Sequence, residues 1–298
     1  MKPLCIYHGN CADGFGAAWV VRQYFMANVD FHAGVYQDPP PDVTGRDVIL
    51  VDFSYKRPVL DQMAQTARTI LILDHHKSAA EDLAQFAIEE CGGGRFVYAD
   101  IDGIWRDFEE LDRPKIAALF NMGKSGAGIT WDHFFPGEPR PALINHIEDR
   151  DLWLFKLDGT REIQANVFSW PYDFEVWDRL MAADTASLRA EGAAIERKHF
   201  KDIDELLRVT TRRMKIGGHV VPVANLPYTF SSDAAGKLAE GQPFAACYMD
   251  TPDGRVFSLR SRGDGLDVSE IAKLYGGGGH KNAAGFKVGY DRLAEFLP

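Results

Sequence analysis

Ile70-Leu71-Ile72-Leu73-Asp74-His75-His76 runs four apolar residues directly into three polar ones. So short an apolar run, with neither helical spacing nor polar alternation, suits a strand buried on both faces of a parallel sheet. Residues that follow such a strand stand at the carboxyl edge of the sheet, where open α/β sheets bind their ligands. Asp-His-His fits a core poorly and no turn needs it, so the triplet reads as chemistry.

The same pattern recurs toward the N-terminus. Leu4-Cys5-Ile6-Tyr7 runs into His8, and Val48-Ile49-Leu50-Val51 runs into Asp52. Gly16–Val21, Phe31–Tyr36 and Leu60–Ala67 lie between these runs as the apolar parts of connecting segments. Strands alternating with helical patterns predict an α/β domain with a parallel sheet, its polar clusters gathered at one edge. Further on, Ser125-Gly126-Ala127-Gly128 opens a helix with Ser125 as N-cap, and another begins at Pro141 and ends near Glu148-Asp149-Arg150-Asp151. From Thr185 to about Arg213 the chain is rich in Ala, Glu, Leu, Lys and Arg without proline, the composition of a long solvent-bathed helix.

Beyond Gly217-Gly218 the texture changes to short strands, His219–Val223, Phe244–Met249 and Val256–Leu259, then an amphipathic helix Val268–Tyr275 and a glycine run, Gly276–Gly279, before His280. The expected organisation is a catalytic α/β domain over 1–184, a helical linker over 185–215 and a smaller α/β domain over 216–298, a division that suits 298 residues.

Composition narrows the class. Hydrophobic residues at 46% and charged residues at 26% are ordinary globular values. Polar residues follow Tyr7 at once, so no signal-peptide core is expected, and no apolar run reaches membrane-spanning length. Four scattered cysteines, Cys5, Cys11, Cys91 and Cys247, suit reduced thiols in a cytoplasm. A net charge of −10 argues against long duplex nucleic acid as a partner but allows a small anion, since a pocket needs only local positive charge. Neither a membrane partner nor a fixed oligomeric state is implied, and a homodimer stays open.

His8, Asp52, Asp74 and His75 at adjacent strand ends form a nitrogen and oxygen donor set suited to manganese, magnesium, iron or zinc. Converging carboxylates would repel, and two divalent ions about 3.5–4 Å apart both relieve that repulsion and clamp an in-line phosphoryl displacement. Asp149 and Asp151, beside Arg150, are read equally well as ligands or as solvated loop charges.

Together these segments resemble the DHH phosphoesterase superfamily, in the two-domain group with a DHH-associated C-terminal domain. His8 with Asp13-Gly14 is similar to its first motif, Val51-Asp52 to the second, Leu73-Asp74-His75-His76 to the third and Glu148-Asp149-Arg150-Asp151-Leu152-Trp153 to the fourth. Gly276-Gly277-Gly278-Gly279-His280-Lys281-Asn282-Ala283-Ala284-Gly285 is similar to the signature of the associated domain. The resemblance implies two manganese ions, with magnesium or another divalent metal as substitutes. It implies that Asp52 bridges them, that His8 serves one ion and Asp13, His75 and either Asp149 or Asp151 the other, and that His76, with Asp74, works on the phosphoryl group. Family members commonly carry an aspartate where this chain has Cys11, which reads either as a softer ligand or as a small buried residue.

For the second domain the expected role is to grip a phosphate with Arg260, Ser261, Arg262, Gly278, Gly279, His280, Lys281 and Asn282, closing on the metal domain across a cleft. From Arg255 to Lys287 there are six Lys or Arg against three Asp or Glu, opposite in sign to the whole chain. The reaction class this implies is hydrolysis of short oligonucleotides or of linear or cyclic dinucleotides. The rivals are a nucleotide bisphosphate phosphatase, an exopolyphosphatase and a non-catalytic nucleotide-binding regulator.

Overall fold

The computed structural model describes residues 1–36, 38–88, 116–263 and 265–297. The chain divides into two units, Met1–Glu196 and Arg197–Pro298. Cys91 lies outside the described residues, and Cys5, Cys11 and Cys247 are free thiols.

The first unit opens with β1 (Leu4–His8), α1 (Ala12–Tyr24), β2 (Asp30–Gly34), β3 (Asp47–Val51), α2 (Arg57–Thr66), β4 (Thr69–Asp74), α3 (Lys77–Asp82) and β5 (Ile116–Phe120). The five strands form one sheet in the order β2-β1-β3-β4-β5, and every pairing is parallel. Alternate residues supply two cores. Cys5, Ile49, Val51, Leu71, Leu73 and Leu119 face α1 and later helices. Leu4, Ile6, Leu50, Ile70, Ile72 and Ala118 face Leu60 and Met63 of α2. With both faces covered, no polar alternation survives in these strands. The β5 sequence, Ile116-Ala117-Ala118-Leu119-Phe120, contains helix-favouring residues, and pairing with β4 overrides that preference.

After β5 come α4 (Gly126–Phe134), α5 (Ala142–Asp151), α6 (Thr160–Val167), α7 (Phe174–Ala182) and α8 (Thr185–Thr210). Ser125 caps α4, its Oγ accepting from Gly128 N at 3.1 Å. The long helix α8 is not bathed in solvent on all sides, as its composition suggests. Leu188 and Ile203 are buried, and a Cβ on Gly192 would stand 1.8 Å from the Glu162 carbonyl oxygen. Glycine there lets α8 pack backbone to backbone on α6.

His133 of α4 is 5% exposed, and burial alone brings its pKa down to about 4. The unfolded chain takes up a proton below about pH 6.5, which the folded chain resists until about pH 4. Stability is therefore full above pH 6.5 and falls by roughly 3 kcal/mol as the pH drops through that window. His133→Gln should flatten this part of a pH-dependent urea-unfolding curve. An unchanged acid limb would mean that His133 protonates without cost.

The second unit has β6 (Arg212–Ile216), β7 (His219–Asn225), α9 (Tyr228–Leu238), β8 (Ala245–Thr251), β9 (Gly254–Arg260), α10 (Val268–Lys273), β10 (Gly278–His280) and β11 (Ala283–Val288). Its sheet runs β10-β11-β9-β8-β7-β6, parallel only between β7 and β8. One face buries Phe257, Phe286, Phe296 and Tyr275 in a stacked aromatic core, and the other packs Ala224 and Cys247 against α8 and α9. Both units are thus α/β, the first wholly parallel and the second smaller and mixed. Among the described residues no helix is long and apolar enough to cross a membrane.

Candidate metal centre

The strand order reverses between β1 and β3, so the crevice at their carboxyl ends is where this sheet receives a ligand. His8 ends β1, Asp52 follows β3, and Asp74 ends β4 with His75 and His76 beyond it. Asp52 sits at the middle of this arrangement. Its backbone has φ +52°, a left-handed conformation that costs a non-glycine residue about 1–3 kcal/mol and is tolerated best by Asp and Asn. The strain turns the carboxylate into the crevice, where it is 1% exposed.

His75 Nε2 is the focus of three carboxylates. It lies 3.0 Å from Asp52 Oδ1, 3.4 Å from Asp151 Oδ2 and 3.6 Å from Asp13 Oδ2. On the other side of Asp52, Oδ2 is 3.4 Å from His8 Nδ1. Candidate ligand atoms of Asp13, Asp52 and His75 fall within 4.8 Å of one another, and so do those of His8, Asp52 and His76. Asp52 belongs to both groups. Its Oδ2 is buried without a hydrogen bond, as is Asp74 Oδ2. Buried carboxylate oxygens left in that state are costly in a protein without a cation and natural in one that binds it. The nitrogen and oxygen donors fit a divalent metal.

The electrostatics agree. Burial pushes the Asp13 carboxyl well above the usual carboxylate range, and Asp52 and Asp151 push it further. Burial also acts to raise Asp52, but His75, bonded to its Oδ1, and the neighbouring His8 hold it well below that range. Burial acts to lower His75, and Asp151 and Asp52 overcome it to hold the imidazole well above its usual value. Protons on the histidines thus offset carboxylate charge that divalent cations would otherwise neutralise.

Asp74 plays a different part. Its Oδ1 accepts from the amides of His75 and His76 and lies 2.7 Å from His76 Nδ1, which fixes the orientation of the His76 ring. Of the two fourth-motif aspartates, only Asp151 joins the cluster. Asp149 is turned away, accepting from Lys156 N, Leu157 N and Thr160 Oγ1 to fold the loop after α5. Cys11 is the N-cap of α1 and offers no side-chain cap. Burial, then the negative charge of Asp52, Asp151 and Asp13, raises its thiol well above the usual value, which keeps it protonated.

Several groups support the cluster in ways that the sequence did not show. The amides of Gly126 and Ala127 donate to the two Asp13 oxygens at 2.6 and 2.9 Å, so the α4 N-terminus holds that carboxylate. Glu148 fixes the same terminus by accepting from Ser125 N at 2.9 Å, and Arg140 braces Glu148. Reading β5 as a strand would have placed the following helix start at the site edge. Tyr36 stands over His8 and His76, with ring centroids 5.3 and 6.1 Å away.

In the second unit, the residues expected to hold phosphate gather where β9 ends and the β10–β11 hairpin turns. Much of their polar capacity is committed internally. Arg260 donates to Ser232 Oγ, Arg262 donates to the Gly236 carbonyl and pairs with Glu240, and Asn282 donates to the buried Ser261. Gly278-Gly279-His280 is a paired strand, and a Cβ on Gly279 would meet the Ala283 carbonyl oxygen at 2.5 Å. Close strand pairing by itself accounts for glycine at that position. Lys281 is exposed and His280 half-buried at the hairpin turn.

Residues 229–298 match the DHHA1 domain. The manganese complex of RecJ from Thermus thermophilus superposes on 99% of this chain and 50% of its own, with 13% identity and a TM-score of 0.52. The DHH domain of a member of a ribosomal-protein family superposes on 99% of this chain and 84% of its own, with 14% identity and a TM-score of 0.53. An uncharacterized protein of Acanthamoeba polyphaga mimivirus is 30% identical over 311 residues, a match covering 95% of this chain. The chain spans 66% of that relative's length. A parallel sheet whose strand ends converge on Asp and His, followed by a DHHA1 unit, is the fold that this chain shares with these structures. Its second unit carries a DHHA1 domain over residues 229–298, and the chain as a whole is similar in fold to proteins with a DHH domain.

Proposed function

We propose that this protein is a divalent-metal-dependent phosphodiesterase acting on short oligonucleotides or on linear or cyclic dinucleotides. The observation that carries the reading is the placement of Asp52 between two ligand groups, Asp13-His75 on one side and His8-His76 on the other. Asp151 completes the first group. Manganese is the favoured ion: the donor set suits it, and an exonuclease RecJ of the same fold was crystallised with it. Divalent cations held by Asp13, Asp52, His75 and Asp151 and by His8, Asp52 and His76 would supply Lewis acidity for hydrolysis at phosphorus.

The protein's own groups do the rest. Asp13, held by the α4 amides, and Asp52, held in its strained turn, keep their oxygens fixed before any metal arrives. His76, oriented by Asp74, presents its other ring nitrogen to the crevice, near enough to His8 and Asp52 to ligate or to meet a phosphoryl oxygen. Lys281 and His280, at the hairpin turn of the second unit, are proposed as phosphate donors of that unit.

The test is turnover by purified protein with Mn²⁺ against short RNA, cyclic dinucleotides, bisphosphorylated adenosine and polyphosphate. Cleavage of the first two groups is expected. Turnover of polyphosphate or bisphosphorylated adenosine alone would replace this reading with that of a phosphatase, and no turnover would leave a nucleotide-binding regulator.

Cys11 gives a separate check. Cys11→Asp adds a carboxylate beside Asp13, Asp52 and Asp151, so without metal the variant should melt lower than wild type, even though Asp is a better N-cap for α1. With Mn²⁺ the order should reverse, and Mn²⁺ affinity should rise. Unchanged Mn²⁺ affinity would mark position 11 as packing only.

A further inference from the structure

We infer that Tyr36 is a stacking platform for a nucleobase of the substrate, placed beside the His8-His76 side of the centre. The inference rests on the phosphodiesterase reading and deepens it, because it assigns the site a nucleotide rather than a chain of phosphates.

Tyr36 lies just beyond β2, the edge strand of the sheet, and is 46% exposed. Its open side borders the ligand crevice and offers a planar face to a ring of a bound molecule. The ring is not loose. It leans on Phe53 at 4.9 Å between centroids with a 37° tilt, and meets His8 and His76 edge to face. Phe53, directly after Asp52, is fully buried and is held in turn by Tyr55 at 4.9 Å. Room for the Phe53 ring exists only because residue 34 is glycine: a Cβ there would stand 2.8 Å from Phe53 Cε1. The end of β2 and the turn after β3 thus build a buried ring beneath an exposed one, within about one ring width of two candidate metal ligands.

A scissile phosphate at the centre brings its attached nucleoside within reach of this ring. A base has a π-face to offer Tyr36 whatever its sequence, and stacking of this kind tolerates any base. Polyphosphate has no group that uses an exposed aromatic ring, and would call for cationic side chains there instead.

The experiment is binding of 2-aminopurine riboside 5′-monophosphate to the Mn²⁺-loaded full chain, read by quenching of the base's fluorescence on stacking. Tyr36→Ala, Tyr36→Phe and Tyr36→Trp are compared with wild type. Wild type, Tyr36→Phe and Tyr36→Trp should quench, whereas Tyr36→Ala should lose the quenching and bind on the order of 10-fold more weakly. Mn²⁺ affinity, measured by electron paramagnetic resonance of the free ion, should be the same in all four. Undiminished quenching and affinity in Tyr36→Ala overturns the platform. A fall in Mn²⁺ affinity in Tyr36→Ala also overturns it, making Tyr36 a support for His8. Base binding is scored without turnover, so a protein that stacks the base but hydrolyses no phosphodiester refutes the phosphodiesterase reading and leaves the platform standing.

Discussion

Asp52→Asn is expected to leave a folded protein and, on the proposed function, to reduce Mn²⁺-dependent phosphodiester hydrolysis on the order of 10³-fold or more. The substitution isolates the charge. Position 52 has φ +52°, which Asn adopts nearly as readily as Asp, so the turn after β3 keeps its shape. The amide that replaces one oxygen cannot accept from His75 or His8, and the residue shared by both ligand groups loses its negative charge. Mn²⁺ stoichiometry should fall along with turnover, measured on the same preparation. Wild-type turnover in Asp52→Asn would rule out a centre organised around this residue.

Gly126→Ala is expected to do nearly as much damage from a position that bears no functional group. A Cβ there would stand 2.4 Å from Asp52 Cβ, 2.9 Å from Asp52 Cα and 3.0 Å from Asp13 Oδ2. Asp52 Cα and the Cβ fixed to it cannot swing aside as the end of a long side chain can, so the α4 N-terminus must retreat. The predicted cost is about 1–3 kcal/mol of stability from overpacking. Retreat also withdraws the amides that hold Asp13, and displacement of a reacting geometry by about 1 Å costs on the order of 10²-fold in rate. Thermal melts and turnover check the two effects separately. A variant as stable and active as wild type would show that α4 does not press on Asp52.

Both predictions concern one carboxylate, yet they come from different sources. Asp52 was legible because Val48–Val51 announces a buried strand and the residue after such a strand belongs to the ligand edge. The same reasoning found His8 and Asp74-His75-His76. Gly126 was not legible, because its role depends on which backbone lies opposite it. The choice between Asp149 and Asp151 stays open in the sequence for a similar reason: both sit at the end of a helix, two residues apart, and only the course of the loop through Lys156 and Leu157 shows which one it consumes. Nothing in the sequence sets Tyr36 and Phe53 apart from each other, and exposure in three dimensions separates them.

The sequence by itself determined the α/β class and the sheet edge at which the Asp and His donors gather, because burial on two faces and the chemistry of Asp and His are written in composition and local order. Only the tertiary structure decided that Asp52 stands between two ligand groups, that Asp151 joins them and that α4 supports Asp13. Those facts depend on distances between segments from 23 to 113 residues apart, and such distances follow from packing, which no local pattern encodes.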